Sequence, residues 1–285
     1  MPEIPFLEIL AENLAARISG RRLESILIRQ PALLQTSAPS PDLFVGEFLS
    51  LPTRVGKYIA LETESRRAIV MHLMRAGRLQ VGEGAGKPGL SKRLSARILL
   101  DDGTRLDLVE HGKEKRAKLW LVEDVADVPE LGLLGPDPSR GELTAERLLA
   151  TLRSERRQLK SFLTDQRILS GIGNGLSDEI LHAARLSPMK LTGSVTEEEA
   201  AALYAAIVGV IAGQTEKLRR SANGELPQKE PREHYAVHDH AGAPCPVCGT
   251  TIARVSFADH DLFYCPGCQT GGKPLKDRRL SKLLK

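Results

Sequence analysis

Long apolar runs, net charge and cysteine are all scarce in this 285-residue sequence. No segment approaches the roughly 20 apolar residues that a membrane-spanning helix requires, so we expect no membrane protein. The start, Met1–Pro–Glu–Ile, has no basic region followed by an apolar run. We therefore expect no secretory leader and a cytoplasmic protein, associated with the nucleoid if the source is prokaryotic. Hydrophobic residues still make up 41 % of the chain, and its length favours two domains over one.

The net charge is only +4, but the charges are unevenly distributed. From Gln269 to the end, the chain carries six cations and a single acidic residue, Asp277. Such a tail is either a solvated, disordered end or an arm that follows a polyanion. Composition does not separate these two interpretations.

All four cysteines fall in two short pairs, Cys245–Pro–Val–Cys248 and Cys265–Pro–Gly–Cys268, with sixteen residues between the pairs. Two tight turns that each present two sulfurs suit tetrahedral ligation of a metal by thiolates. Two disulfides are the alternative, but they are typical of small secreted domains. The spacing therefore predicts one structural Zn²⁺, because four thiolates leave no open position for a catalytic water. His234, His238 and His240 are interpreted as loop residues, since the cysteines already fill the site.

The pattern up to about residue 123 is that of a helix followed by short strands. Residues 6–18 have apolar positions at helical spacing, with Pro5 near the first turn and Gly20 beyond the end. Between residues 22 and 123, strand-like segments separated by turn residues predict a β-sandwich. The predicted strands are 23–28, 45–51, 57–62, 68–73, 96–100, 105–109 and 118–122.

A linker rich in Gly and Pro at 132–141 precedes a helical region over 142–221. Thr196 followed by Glu199 predicts a capping box at the start of the last helix. Residues 222–243 are polar and aperiodic, so we expect a mobile loop there. The predicted fold class is α+β and multidomain. Its parts are an N-terminal helix and β-sandwich over 1–131, a helical domain over 132–222, and a C-terminal part over 223–285 that contains the zinc ribbon (244–270) and the basic tail.

The segment Gly171–Ile–Gly173–Asn174–Gly175 lies between two helical segments. Its backbone amides can approach an anion closely. A simple connection between helices that needs positive φ accounts for the same glycines, and the segment alone does not distinguish the two.

Four segments together resemble the formamidopyrimidine-DNA glycosylase/endonuclease VIII family. They are Pro2–Glu3–Ile4–Pro5, Arg54–Val–Gly–Lys57, residues 163–188 with the glycine turn, and the cysteine ribbon. Residues 163–188 are similar to that family's helix–two-turn–helix (H2TH) motif, and the segments follow the family's order over nearly the whole chain. The resemblance implies a monomeric DNA repair enzyme. Such an enzyme excises a damaged base from duplex DNA and nicks the strand at the abasic (AP) site by β- or β,δ-elimination.

The resemblance also implies catalytic roles. Pro2, at the mature N-terminus once Met1 is removed, would be the nucleophile, because a secondary amine directly forms the iminium that elimination requires. Glu3 would protonate the sugar oxygen, and Lys57 would contact phosphate and assist elimination. Without the resemblance, Pro2 and Glu3 would be a frayed end and Lys57 an exposed lysine on an edge strand. We expect Lys57 and the positive end of the first helix to lower the pKa of the Pro2 amine.

DNA contacts are implied in the same way. Lys160 and Asn174, with Gly173 beside it, match family residues that hold the phosphates flanking the flipped nucleotide. The alternative for Lys160 is a solvated helix face. Arg75 aligns with the family's wedge methionine and Met74 precedes it, so either side chain can fill the gap left by the extruded base.

Two departures from the family pattern affect substrate recognition and the second elimination. The family's Asp–Pro–Arg–Arg–Phe–Gly wedge is replaced by the charged stretch 110–116, and a DNA-contacting arginine of the ribbon by His260. We expect weaker or pH-dependent δ-elimination, with a histidine of no role as the alternative. An AP lyase without base excision and a non-catalytic damaged-DNA-binding relative therefore stay open.

Overall fold

The computed structural model describes residues 1–84, 92–112, 114–230, 232–257 and 260–275. The chain falls into two compact units. The first contains Met1–Leu133 and Leu218–Glu230, and the second contains Leu134–Lys217 and the described residues after Glu230. The basic tail from residue 276 onward lies outside the described residues. Among the described helices, none is long and apolar enough to cross a membrane.

The first unit begins with helix α1 (Ile4–Ile18), whose apolar side chains are buried from the first turn onward. Pro5 lies in that first turn, where an N–H would have no partner within the helix. Eight strands follow: β1 (Leu23–Ile28), β2 (Thr53–Val55), β3 (Tyr58–Glu62), β4 (Ala68–His72), β5 (Gly77–Glu83), β6 (Leu94–Leu100), β7 (Thr104–Glu110) and β8 (Lys118–Val122).

The strands form two antiparallel four-stranded sheets, in the orders β1-β6-β7-β5 and β2-β3-β4-β8. Helix α1 and both sheets share one hydrophobic core, to which Leu10, Leu14, Ile59, Ile69 and Ile98 contribute. The prediction of a β-sandwich with an N-terminal helix is therefore confirmed.

The strand prediction fails in three places. Residues 45–51 are not a strand, because Gly46 turns the chain with a φ of +91° and Phe48 and Leu49 form isolated bridges instead of a continuous ladder. The prediction also omits β2, which is only three residues long, and β5, whose Gly77 and Gly82 look like turn residues.

The second unit contains helices α2 (Ala145–Ser154), α3 (Leu159–Thr164) and α4 (Asn174–Ala183), most of α5 (Glu197–Ala222), strands β9 (Ala253–Ser256) and β10 (Asp261–Tyr264), and α6 (Pro266–Thr270). The predicted capping box of α5 is present. The Thr196 N–H donates to the Glu199 carboxylate (2.9 Å) and the Glu199 N–H donates to the Thr196 hydroxyl (3.2 Å). Antiparallel β9 and β10 form the predicted ribbon.

The described part of segment 222–243 is irregular, as predicted, apart from the end of α5 and a single 3-10 turn at Arg232–His234. It is nevertheless attached at two places. Residues 224–228 hydrogen-bond to α1 and β5 within the first unit, and residues 236–238 hydrogen-bond to α4 within the second.

Candidate functional site

The two residues after the exposed Met1 are buried in the first unit. Pro2 and Glu3 are both buried, and Glu3 is only 5 % exposed. Glu3 immediately precedes α1 in an extended conformation, and its side chain does not cap the helix. The positive end of the α1 dipole therefore lies at these two residues. A frayed terminus does not describe this geometry.

Lys57 lies in the two-residue turn between β2 and β3, so β3 begins one residue later than the predicted strand. Gly56 precedes it with a φ of +56°, a left-handed conformation that suits glycine in such turns. The side chain of Arg54, which is 1 % exposed, donates to the Gly56 carbonyl (3.1 Å) and to the carboxylate of Glu8 on α1 (2.6 Å). Arg54 thus fixes the Lys57 turn relative to α1.

The surroundings of Lys57 are both buried and charged. Lys57 is 5 % exposed. Burial lowers the pKa of Lys57, while the charges of Glu3 and Glu230 act in the opposite direction. The Glu230 carboxylate also lies 3.8 Å from the amino nitrogen of Met1. Sequence reasoning missed Glu230, because it stands in a polar loop with no motif around it.

The predicted wedge residues lie in the turn between β4 and β5. Met74 has a φ of +51°, and its N–H donates to Nδ1 of His72 (3.1 Å). Met74 is half-buried and Arg75 is exposed. The turn requires Gly77, since a Cβ there would lie 2.4 Å from the Leu73 carbonyl oxygen.

His72 ends β4 beside this turn and is a neutral group. Burial, together with the charges of Lys57 and Lys118, lowers the pKa of His72 to about 4. The neutral ring can therefore accept the hydrogen bond from Met74 near neutral pH. Its edge-on contact with the ring of Tyr58, at 4.7 Å between centroids, fixes its orientation.

In the second unit, Lys160 of α3 is 4 % exposed, and its ammonium has two close polar partners. Its Nζ lies 2.6 Å from Oδ1 of Asp178 and donates to the Asn174 carbonyl at 2.7 Å. Asp178 is itself 1 % exposed. This buried pair excludes a solvated helix face and links α3 to the first turn of α4.

Asp178 binds two further groups through its second oxygen. Nδ1 of His238 lies 2.7 Å from Oδ2, and the backbone N–H of Phe263 donates to the same oxygen at 3.3 Å. Burial lowers the pKa of His238, but the hydrogen bond and charge of Asp178 outweigh it, so the pKa is raised. His238, interpreted from the sequence as a loop residue, therefore pairs with the buried Asp178 carboxylate.

The neighbouring acid, Glu179, attaches the same loop to α4. Its carboxylate accepts the backbone N–H groups of Ala236 (2.6 Å), Val237 (2.8 Å) and His238 (2.9 Å). Sequence reasoning missed both acids of this helix. Two adjacent acidic residues within a largely apolar helix were the available signal, because a buried carboxylate needs partners.

The glycine turn before α4 is tightly held. Gly171 has a φ of +84°, and its N–H donates to the side chain of Gln166 (2.9 Å). The hydroxyl of Ser177 donates to the Gly173 carbonyl (2.5 Å). Because α4 begins at Asn174, the turn presents the positive end of a ten-residue helix. The turn therefore needs positive φ at Gly171, and its backbone amides can also approach an anion at the start of α4.

The four cysteines form one tetrahedral set. Their sulfurs all lie within 4.8 Å of one another, with contacts of 3.3, 3.4 and 3.8 Å between individual pairs. Zinc–sulfur bonds of about 2.3 Å place sulfurs about 3.8 Å apart in a tetrahedron, so the geometry fits Zn²⁺. Cys245, Cys248, Cys265 and Cys268 thus supply a full set of four ligands, as predicted for one structural zinc ion.

Residues around the cysteines support this geometry. Nε2 of His182, on α4, lies 3.2 Å from the Cys245 sulfur, and burial lowers the pKa of His182. The neutral ring can therefore donate to a thiolate. Gln269 accepts from the Cys265 N–H (2.8 Å) and donates to the Leu186 carbonyl (2.9 Å). These contacts connect the zinc ribbon to the helices of its own unit.

His260 lies beside the turn between β9 and β10, and residues 258 and 259 of that turn lie outside the described residues. Its ring stacks on Phe257 with centroids 4.8 Å apart, and its carbonyl accepts the Phe257 N–H (2.9 Å). Of the predicted residues, the structure thus groups Glu3 with Lys57 in the first unit and Lys160 with Asn174 in the second.

Models of known protein families match three parts of the chain. The N-terminal domain of formamidopyrimidine-DNA glycosylase matches residues 1–113, the H2TH domain of that enzyme matches 134–222, and a zinc finger found in FPG and IleRS matches 242–271. The formamidopyrimidine-DNA glycosylase of Desulforamulus reducens is 31 % identical over 278 residues, which cover 94 % of this chain and 99 % of that protein.

Solved structures agree with these matches. MutM (Fpg) from Thermus thermophilus has a TM-score of 0.80 at 28 % identity, over 96 % of this chain and 100 % of that one. The fold is also that of Lactococcus lactis Fpg bound to DNA that contains Fapy-dG, with a TM-score of 0.82 at 23 % identity over 94 % and 100 % of the two chains. The chain therefore belongs to the formamidopyrimidine-DNA glycosylase family.

Proposed function

We propose that this protein is a DNA glycosylase with AP-lyase activity, which acts on duplex DNA that contains a damaged base or an abasic site. The observation that carries the proposal is the buried Pro2–Glu3 end, held at the positive end of α1 with the Lys57 ammonium beside Glu3. Relatives support the substrate class, since the Lactococcus lactis enzyme was solved with abasic-site DNA and with Fapy-dG DNA.

In the proposed reaction, the neutral amine of mature Pro2 attacks C1′ of the damaged nucleotide. The N–C1′ bond forms as the glycosidic bond breaks, and the base leaves with the electrons of that bond and takes up a proton from water. Once the proline nitrogen has lost its proton, Glu3 gives a proton to the ring oxygen as the sugar opens, and the nitrogen lone pair forms the iminium. Loss of a C2′ proton then expels the 3′ phosphate, and Lys57 stabilises the charge that develops on that phosphate.

The second unit would supply the clamp on the opened strand. Asn174 and Gly173 lie at the positive end of α4, where backbone amides favour a phosphate, and Lys160, paired with Asp178, would hold this turn in place through the Asn174 carbonyl. Met74 or Arg75 would fill the gap that the extruded base leaves in the stack. His260 would contact DNA from the ribbon, and because it replaces the family's arginine there, δ-elimination should be weaker or pH-dependent.

An AP lyase without base excision is the second candidate. The observation that favours it is at the end of β7, where the buried carboxylate of Glu110 (2 % exposed) accepts hydrogen bonds from the backbone N–H groups of Arg116 (2.7 Å) and Ala117 (2.9 Å). Among the described residues 110–112 and 114–116 there is no Phe, Tyr or Trp side chain to take the place of the extruded base. Reading of the opposite base would then depend on Met74 and Arg75 alone.

Borohydride trapping tests the proposed nucleophile. The mature protein, with removal of Met1 verified by mass spectrometry, should give a covalent adduct with abasic-site duplex that maps to Pro2. A chain extended by a few residues before Pro2 should give no adduct, because the nitrogen is then an amide. The same extension after the C-terminus is the control. Undiminished trapping by the N-terminally extended chain would overturn the proposal.

A panel of duplexes separates the two candidates. Release of free base from 8-oxoguanine, formamidopyrimidine or oxidised-pyrimidine duplexes would support the glycosylase. Incision of abasic duplex alone would support the AP lyase. Salt-dependent DNA binding without adduct or incision would instead support the non-catalytic relative.

A further inference from the structure

The segment from Gly224 to Glu230 is attached to the first unit along its length. Arg17 of α1 donates to the Gly224 carbonyl (2.6 Å), and Asn13 of α1 donates to the Glu225 carbonyl (2.7 Å). Further along, Gln228 donates to the Leu79 carbonyl of β5 (3.0 Å). Leu226 packs against the shared hydrophobic core. A loop that the sequence marks as polar and aperiodic is thus fixed on the surface of the sandwich.

This attachment continues up to the residues next to Glu230. The Arg78 guanidinium donates to the Gln228 carbonyl (2.5 Å) and to the Arg75 carbonyl (3.1 Å), and it lies over the ring of Phe6, 5.7 Å from the centroid. One arginine therefore joins the segment, the Met74–Arg75 turn and the first turn of α1. The segment brings the carboxylate of Glu230 to the chain terminus.

The carboxylate of Glu230 lies close to the terminal amine. Its Oε2 lies 3.8 Å from the Met1 amino nitrogen, and its side chain is 26 % exposed. Consecutive backbone nitrogens lie roughly 3 Å apart, so this oxygen lies within about 7 Å of the Pro2 nitrogen. Removal of Met1 frees the intervening space for a rotamer change or one bridging water.

We propose that Glu230 is a second acid/base residue of the reaction, which accepts the proton that the Pro2 nitrogen must lose. This inference rests on the proposed function. After attack on C1′, the proline nitrogen carries a proton and a positive charge, and its lone pair is unavailable. Transfer of that proton to Glu230 restores the lone pair, which then forms the iminium as the C1′–O4′ bond breaks.

The proton balance assigns different roles to the two carboxyl groups. Glu3 gives a proton to O4′ and becomes a carboxylate, while Glu230 takes the proton from nitrogen and becomes a carboxylic acid. The net result is transfer of one proton from nitrogen to oxygen. Cationic groups lie around Glu230: the Met1 amino nitrogen is 3.8 Å from its carboxylate, and its charge acts on Lys57 and Arg78.

Single-turnover trapping of abasic-site duplex by Glu230→Gln tests the inference. The amide keeps the shape of the side chain but cannot accept the proton. We expect the trapping rate to fall by about 10²-fold near neutral pH, the usual loss when a general base is removed.

Controls separate this role from a structural one. Affinity for a duplex with a non-cleavable tetrahydrofuran site should stay within about twofold of wild type. Glu233→Gln makes the same charge change at an exposed position three residues further on and should trap normally. Glu230→Asp, which keeps the carboxylate, should recover part of the rate.

Three results would overturn the inference in different ways. If Glu230→Gln traps at the wild-type rate from about pH 5 to 9, the proton acceptor is another group and the proposed function is untouched. If the mature wild-type protein gives no adduct at all, the proposed function and this inference fail together. Equal losses of trapping and of tetrahydrofuran-duplex affinity in Glu230→Gln would also contradict it, since they indicate a structural role.

Discussion

Each unit buries a lysine, and the two lysines are held in different ways. In the second unit, Lys160 forms a buried ion pair with Asp178 at 2.6 Å and donates to a backbone carbonyl. In the first unit, Lys57 stands in a β-turn, where burial lowers its pKa and the carboxylates of Glu3 and Glu230 oppose that shift. The first arrangement fixes the charge of Lys160 in an ion pair, and the second leaves Lys57 with a lowered pKa.

The contrast distinguishes structural from reactive positions in this fold. A buried charge with close partners on every side contributes to the arrangement of helices, because each partner becomes costly to remove. A buried ammonium with a lowered pKa instead resembles the groups that take part in chemistry. Substitutions at the two lysines and their partners should therefore affect different properties of the protein.

The largest expected effect is on the stability of the second unit. Asp178→Ala leaves the Lys160 ammonium buried without its carboxylate and should cost about 3–5 kcal/mol of unfolding free energy, measured by urea denaturation. The double variant Asp178→Ala with Lys160→Met should recover much of this loss, because the charge is removed as well. Asp261→Ala, which removes a half-exposed acid from the same unit, is the control and should change little.

Lys57→Met should instead lower activity while leaving stability intact. Removal of a buried ammonium should leave the stability of the first unit unchanged or slightly raised, while strand cleavage at abasic sites falls by about 10²-fold. Single-turnover cleavage and urea denaturation measure the two properties. Lys118→Met, a half-exposed lysine on β8, is the matched control. A loss of stability in Lys57→Met as large as that of Asp178→Ala would remove the distinction between the two lysines.

A smaller effect is expected at the zinc site. His182→Ala removes the ring beside the Cys245 sulfur and should weaken zinc binding by about 10–100-fold, as replacement of such outer partners does elsewhere. Competition with a chromophoric chelator measures the affinity directly. His240→Ala provides the control, and equal zinc affinity in both variants would show that the His182 contact contributes nothing.

The smallest effect concerns pH. The raised pKa of His238 means that its charged form stabilises the folded second unit. This contribution is fully present below the ordinary histidine pKa and is lost as pH rises through the raised, folded value. Urea denaturation of the wild type and of His238→Gln should therefore differ most at mildly acidic pH. A difference that grows as pH rises would have the wrong sign and would contradict the assignment.

Much of the molecule could be predicted from the sequence. The family, the fold class and the structural zinc site are confirmed, because motif order, strand periodicity and cysteine spacing are properties of short segments. The carboxylate Glu230, which lies near the terminal amine, and the acids Asp178 and Glu179 were missed. Most of their partners are distant in the chain, such as His238 at 2.7 Å from Asp178 and the Met1 nitrogen at 3.8 Å from Glu230.

By itself, the sequence determined the ligands of the metal, the helix at the N-terminus and the capping of α5, since these depend on spacing along the chain. Only the tertiary structure decided which lysine is paired, which loop is attached and which carboxylate reaches the terminal amine. The physical reason is that the charge and pKa of a buried group depend on what surrounds it in space. Residues distant in sequence supply those surroundings, and no local pattern records them.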